Sequence, residues 1–244
     1  MKAKRRFTPR VAPELVLDRL EVAYGYEPWA PRMSALDELL FTVLTQHTSD
    51  SNAEIAFTAM RKQYPTWGVV LEADTSELAN TIRSGGLANQ KAPRLQAILL
   101  EIVRRTGTFE IEFLGDLPLE EARTWLTTLP GVGPKTAAVT LAFSLGMPAM
   151  PVDTHIYRVS KRIGLISMKI SVDDAHVIME AQVPPERIHS YHVQLIAHGR
   201  QTCKAIRPQC DRCALQDLCP SAATFAAAFE KPKYKRPTRN GKTL

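Results

Sequence analysis

Apolar residues recur along most of this chain at steps of three and four, the spacing that gathers them on one face of an α-helix. Leu36, Leu39, Leu40, Val43 and Leu44 make one stripe, Ile55, Ala56, Phe57 and Met60 a second, and Leu95, Ile98, Leu99, Ile102 and Val103 a third within Lys91 to Arg105. Ser34-Ala-Leu-Asp37 and Ser51-Asn-Ala-Glu54 read as capping boxes ahead of the first two stripes, a hydroxyl and a carboxylate three residues apart satisfying helix-start amides. Glu120 to Leu129 has the same period, Ser171-Val-Asp-Asp174 starts another helix, and Glu186 to Arg200 makes a further one. No run of alternating residues marks a strand. The pattern predicts an all-α protein.

Two helix starts carry candidate chemistry. Pro130 stops the helix ending at Leu129, Gly131 and Gly133 supply backbone angles closed to other residues, and Pro134 suits the first turn of the next helix. This is a helix-hairpin-helix pattern. The amides of Gly131, Val132 and Gly133 with the free N–H groups of the new helix form a concavity suited to an anion, of which a nucleic-acid phosphate is one. Lys135 sits in that positive helix start, where the dipole and desolvation both favour a neutral, nucleophilic amine. A simple turn with a solvated lysine would use the same residues.

The second start is Val152-Asp153-Thr154-His155, with Asp153 as N-cap of a helix from Ile156 to Ile163 that ends at Gly164. Residues 135 to 145, if helical, carry the chain about 16 Å away from Lys135. Residues 146 to 153, extended by Gly146, Pro148 and Pro151, reach back up to about 25 Å. Asp153 can therefore face Lys135.

Composition narrows the setting. The 244 residues suffice for one large or two modest domains. Thr136 to Val152 is uncharged but too short and too broken by Gly and Pro to span a bilayer, so it reads as a buried helix and its exit. No signal peptide is recognisable, and a cytoplasmic protein with no membrane partner is expected, nucleoid-associated if bacterial. The net charge of +6 comes from the ends: residues 1–10 carry five Lys or Arg, residues 231–244 six, and the remainder 20 against 25 acidic residues. Such tails suit counterion-releasing phosphate contacts or serve as solubilising ends.

All four cysteines fall in one window, Cys203, Cys210, Cys213 and Cys219. Such clustering reads as a metal site rather than as disulfides. Zinc sites pair thiolates in two short knuckles, whereas here one short pair is flanked by gaps of six and five residues. That spacing favours a cluster with thiolates on separate irons, with zinc as the alternative. Lys204, Arg207 and Arg212 lie between the ligands, placed to offset their charge.

Leu129-Pro-Gly-Val-Gly-Pro-Lys-Thr-Ala137, Val152-Asp-Thr-His155, His198-Gly-Arg200 and the cysteine spacing together resemble the helix-hairpin-helix DNA glycosylases, specifically the endonuclease III family with a [4Fe-4S] cluster. The likeness runs from about Ser34 to Pro220. It implies a six-helix barrel domain at 28–147 holding the hairpin, and a cluster domain built from 1–27 and 148–244. Double-stranded DNA with damaged bases or abasic sites would lie in the cleft between them, bound by a monomer. It further implies that Lys135 attacks the sugar C1′ of a flipped nucleotide, that Asp153 deprotonates it or stabilises charge, and that the resulting Schiff base permits β-elimination.

Lysine together with the cluster resembles the branch acting on oxidised pyrimidines. The resemblance also assigns DNA contacts to Gln46, His47, Leu87, Gly131, Val132, Gly133 and His155, and lesion-pocket positions to Asp50 and Ala88. Departures are evident. His47 stands where better known members place a glutamine wedge, with Gln46 one position off; Ala88 replaces an aromatic residue; and residues 106–120 look inserted. Asp50 also suits a helix cap. A mainly abasic-site lyase, a glycosylase of other lesion preference, and a non-catalytic damage-binding protein are the alternatives.

Overall fold

The computed structural model describes residues 7–26 and 28–229, with backbone only for 226–229. In chain order the helices are α1 (Pro13–Tyr24), α2 (Ala35–Thr45), α3 (Asp50–Gln63), α4 (Trp67–Glu72), α5 (Thr75–Thr81), α6 (Ala88–Thr106), α7 (Leu119–Thr127), α8 (Pro134–Leu145), α9 (Thr154–Ile163), α10 (Val172–Glu180), α11 (Ile188–Gln201) and α12 (Ala222–Phe229). No strand occurs among the described residues, as the hydrophobic periodicity requires. None of the described helices is long and apolar enough to cross a membrane.

The apolar stripes divide between two cores. One runs from Ala35 to Ala149 and includes Leu39, Leu40, Leu95, Ile98, Leu126 and Leu141. The other begins at Met150 with Val152, Ile156, Val159, Tyr191 and Leu195, and is completed by Val16, Leu17 and Leu20 from α1. The chain end thus returns to close the second half. α2 packs on α8, and α11 lies between α9 and α1.

Ser34 caps α2 as expected, its hydroxyl accepting from the Asp37 amide at 3.2 Å. The second capping box is corrected. Ser49, two residues earlier than Ser51, caps α3 by accepting from Asn52 N, so Asp50 is the first helical residue and not a cap. α6 likewise starts at Ala88 rather than Lys91, because the Leu87 carbonyl already accepts from Gln90 N and Lys91 N at 2.9 and 3.0 Å. A short 3-10 turn, Pro185–Arg187, precedes α11.

The segment 106–120 acquires a structural reason. Its 3-10 turn, Glu112–Asp116, sends Ile111 and Leu114 into the first core, and Glu112 accepts from the Ala35 amide at 3.1 Å. It therefore helps satisfy the start of α2. Of the basic tails, only residues 7–10 are described, and exposed Arg10 is anchored through its backbone, its amide donating to Gly164 O at 2.9 Å. Residues 1–6 and 231–244, where the phosphate-contact expectation also falls, lie outside the described residues.

Candidate active site and cysteine pocket

The hairpin forms between α7 and α8. Gly131 is left-handed (φ +71°), and a Cβ there would sit 2.5 Å from the Nε of Arg94, which crosses over it. Only glycine meets both demands. Gly133 departs from expectation: its φ of −95° and ψ of 177° are extended angles open to any residue, and nothing lies within 4 Å of its missing side chain. Its service is open access to the helix-start amides. Val132 is buried in the first core, so only its backbone remains for an anion.

Pro134 occupies the first position of α8 and Lys135 the second. Lys135 is exposed, so the protein interior does not desolvate its amine. An occupant of the cleft has to do so.

Gly146, left-handed at φ +63°, ends α8 and turns the chain back. The returning strap is held by side chains. Glu180 accepts from Met150 N at 2.8 Å, His176 Nδ1 lies 2.7 Å from Met150 O, and His192 Nδ1 lies 2.9 Å from Pro151 O. His176 Nδ1 is also 3.2 Å from Val152 N, but one ring nitrogen cannot donate and accept at once, and the shorter contact puts the proton on Nδ1. Burial pushes both histidines toward the neutral form, His192 to about 4. The Glu180 carboxylate additionally accepts from Arg123 Nη2 at 2.7 Å, tying α7 to α10 in a half-buried pair. The strap delivers Asp153, which caps α9 by accepting from Ile156 N at 2.7 Å.

Lys135 and Asp153 thereby line the same cleft, together with Thr45, Asp50 and Arg200. On one side it deepens between Phe41, Phe57 and Phe143, with Arg32, Thr42, Glu54, Thr58 and His192 among its polar groups. On the other it opens over Gln46, Gly131, Gly133 and His155. Asp50 pairs with Arg200 at 2.8 Å, an exposed contact from α3 to α11. His155 stacks beneath α11, where a Cβ on Gly199 would stand 2.9 Å from the His155 Cβ, so the glycine of His198-Gly-Arg200 permits the approach of α9.

Gln46 and His47 separate clearly. Gln46 is tethered, its amide donating to Thr136 Oγ1 at 3.3 Å and its oxygen accepting from Arg94 at 3.1 Å. His47 is exposed and left-handed at φ +56°, and Leu87, 47% exposed, is left-handed at φ +50°. Each such non-glycine backbone costs about 1–3 kcal/mol. The two strained tips are neighbours, since the missing side chain of Gly86 faces His47 O and Thr48. Buried Lys91 joins their stems by donating to Leu44 O and Gly85 O at 2.6 and 2.7 Å. Ala88 lies with Leu87 and Asn80 in a separate depression and does not line the cleft that holds Lys135.

The four cysteines are free and half-buried and line one pocket. Burial raises the Cys210, Cys213 and Cys219 thiols, Cys213 to about 11. Cys203 Sγ lies 3.5 Å from Arg162 Nη1, and Cys213 Sγ 3.4 Å from Leu215 N and 3.7 Å from His198 Nε2. Tyr24 OH meets the other nitrogen of His198 at 2.9 Å. Among the described residues, no three Cys, His, Asp or Glu side chains converge tightly enough to hold one ion. Four thiols around a common pocket, with N–H donors beside Cys203 and Cys213, form a donor set that could hold thiolate-bound metal. Lys204, Arg207 and Arg212 are exposed, and Arg162 from α9 is the cation that reaches a sulfur.

Sequence reasoning missed Arg32, Arg94, Lys91, Arg162, His192 and the Arg123–Glu180 pair. Each is an isolated charged or polar residue with no local signature, all but Arg32 within helices, and only the fold reveals its partner.

Comparison with known proteins agrees with this geometry. Residues 40–185 match the HhH-GPD superfamily of base excision DNA repair proteins. A protein of Arabidopsis thaliana is 34% identical over 77% of this chain, which spans 65% of that relative's length. Endonuclease III of Synechocystis is 34% identical over 75% of this chain and 80% of its own, and that of Sulfolobus acidocaldarius 31% over 74% and 79%. A solved endonuclease III in a non-covalent DNA complex superposes with a TM-score of 0.78 at 28% identity, covering 91% of this chain and all of that one. The chain belongs to the HhH-GPD superfamily of base excision repair glycosylases and, within it, to the endonuclease III family.

Proposed function

We propose that this enzyme removes oxidised pyrimidines from duplex DNA and cleaves the resulting abasic site through a Schiff base on Lys135. The observation that carries the reading is the shared cleft of Lys135 and Asp153, flanked by an aromatic recess on one side and exposed hairpin amides on the other. We take 28–147 and the pair 1–27 with 148–244 as its two domains, acting as a monomer.

The hairpin amides at Gly131 to Gly133 and the start of α8 hold a backbone phosphate. His47 and Leu87, already strained outward, fill the gap left when the damaged nucleotide turns into the recess, a step costing a few kcal/mol and least for a damaged base. The bound nucleotide excludes water around Lys135. Its ammonium gives a proton to Asp153, the free amine bonds to C1′, and the base leaves with the bonding electrons. Ring opening yields the Schiff base, loss of a C2′ proton drives β-elimination, and the 3′ phosphate departs. Cys203, Cys210, Cys213 and Cys219 would hold a [4Fe-4S] cluster, which supplies a covalent cross-link for the segment after α11.

The test is borohydride trapping on duplexes containing an abasic site or thymine glycol. Wild type yields a covalent protein–DNA adduct and Lys135→Ala none; Asp153→Asn, which keeps a good helix cap, traps about 100-fold more slowly. An adduct undiminished in Lys135→Ala, or none from wild type, would remove the lysine from the reaction.

A further inference from the structure

Arg94 has no part in the reaction above, yet it joins the two loops which that reaction places against DNA. Lys91 and Arg94 lie one turn apart on α6 and so project from neighbouring positions of one face. Buried Lys91 ties the end of α2 to the loop before α6, through Leu44 O and Gly85 O. Arg94 makes the next connection. Its Nη1 donates to Gln46 Oε1 at 3.1 Å, and its Nε and Cδ cross the hairpin where a Cβ on Gly131 would stand 2.5 and 2.6 Å away.

The bonds have a fixed direction. A guanidinium only donates, so Arg94 decides which end of the Gln46 amide is its oxygen, and the amide nitrogen then donates to Thr136 Oγ1 at 3.3 Å. Thr136 is buried in the first turn of α8, next in sequence to Lys135. Gln46, Gly131 and Thr136 line the cleft beside Lys135 whereas Arg94 does not, so the guanidinium braces the loops from behind. His47 follows Gln46 directly, with its backbone left-handed at φ +56°. A residue other than glycine stays in that region only when its surroundings over-determine it. The bonds from Arg94 through Gln46 to Thr136 supply that constraint on one side of His47.

The hairpin anchors a phosphate while the His47 tip enters the base stack, and the spacing between the two loops sets whether both contacts form together. We propose that Arg94 is a positioning residue that, through Gln46, holds the His47 tip in register with the hairpin and Lys135. It acts in extrusion of the target nucleotide and not in the lysine chemistry. The inference rests on the base-flipping reading above and names the group that couples tip insertion to phosphate binding. Misplacing a reacting or inserting group by about 1 Å costs up to about 100-fold in rate. The rival role for Arg94, as a cation for a further phosphate, is independent of Gln46.

Borohydride trapping is to be measured on one abasic oligonucleotide, single-stranded and in duplex, with 2-aminopurine opposite the abasic site to report insertion. In duplex, Arg94→Ala should trap at least about 10-fold more slowly than wild type. On the single strand, which has no opposite base to part from, the two should agree within about 3-fold, a result that a misfolded variant does not give. The rise of 2-aminopurine fluorescence on mixing with enzyme should slow along with duplex trapping. Gln46→Ala should show the same duplex-selective loss, and adding Arg94→Ala to it should slow duplex trapping by less than about 3-fold further. Equal slowing on both DNA forms in both single variants, duplex trapping by Arg94→Ala at the wild-type rate, or the same duplex loss with and without Gln46 overturns the positioning role while leaving lysine chemistry intact. So does a slope of log affinity against log salt that is shallower by about one in Arg94→Ala, the mark of a direct phosphate contact. Failure of wild type to trap either DNA form overturns the parent reading with it.

Discussion

From Ala35 to Ala149 the chain folds on itself around one continuous apolar cluster, whereas the half that begins at Met150 recruits α1 from the other end of the chain and threads polar side chains through its interior. His176, Ser190, His192, Gln194, His198 and Thr202 are all buried in the second half. Of the buried polar groups of the first, Thr42 and Thr136 line the cleft, Lys91 and Glu38 bond to loops or segments beside it, and Thr140 bonds within its own helix. The difference follows from what each half supports. The first presents a lysine on a regular helix start, which needs only helix packing. The second must hold an extended strap, and an extended segment inside a protein leaves backbone groups that side chains have to satisfy.

The strongest way to break this comparison is Glu180→Ala. It takes the partner from Met150 N and leaves the Arg123 guanidinium with only a long 3.9 Å pairing to exposed Glu120, one of its nitrogens already lacking a hydrogen bond. Loss of one member of a fully buried ion pair costs about 3–5 kcal/mol, and this partly buried pair, with Glu120 nearby, should lose about 2–3 kcal/mol. Urea unfolding should register that loss, and a cost below about 1 kcal/mol would mean that the strap does not depend on its side-chain anchors.

Acid comes next. His192 is held neutral to about pH 4 by burial, below the ordinary histidine value of 6.5, so the unfolded chain binds the additional proton between those values. Stability is then complete above pH 6.5 and falls as pH drops toward 4, by about 1 kcal/mol per pH unit. His176 is shifted in the same direction, also chiefly by burial. Unfolding curves at pH 7.0, 5.5 and 4.5 should show this slope, with a shallower one in His192→Gln. An identical slope in that variant would place the acid sensitivity elsewhere.

The smallest effect belongs to the first half. Ser34→Ala removes the bond to the Asp37 amide that caps α2 and should cost about 1 kcal/mol, since a helix cap is a local contact. Thermal unfolding resolves a change of that size. A loss as large as that of Glu180→Ala would erase the contrast between a half held by packing and a half held by polar anchors.

Legibility in the sequence tracks the same contrast. Ser34, Pro134, Asp153 and Gly164 act through neighbours three or four residues away, and each occupies the capping or terminating role that its spacing implies. Ser51 gave way to Ser49 because either serine could cap, and the preceding turn decides which amides are free. Gly133 looked like Gly131 in one dimension; the crossing Arg94 distinguishes them in three. Ala88 and its neighbour Leu87 line one depression that the Lys135 cleft does not include, a placement set by how α6 packs and not by local spacing.

The sequence by itself determined the helices, the hairpin, the pairing of Lys135 with Asp153 as candidates, and the clustering of the four cysteines. Those features rest on periodicity, capping and loop reach, which are short-range properties of the chain. Only the tertiary structure decided that Glu180, His176 and His192 hold the strap that presents Asp153, that Arg162 reaches Cys203, that Gln46 is tethered while His47 is free, and that Arg32 and His192 flank Phe143. Burial sets the protonation of a histidine and distance selects the partner of a charge, and both arise from residues far apart in the sequence that packing brings together.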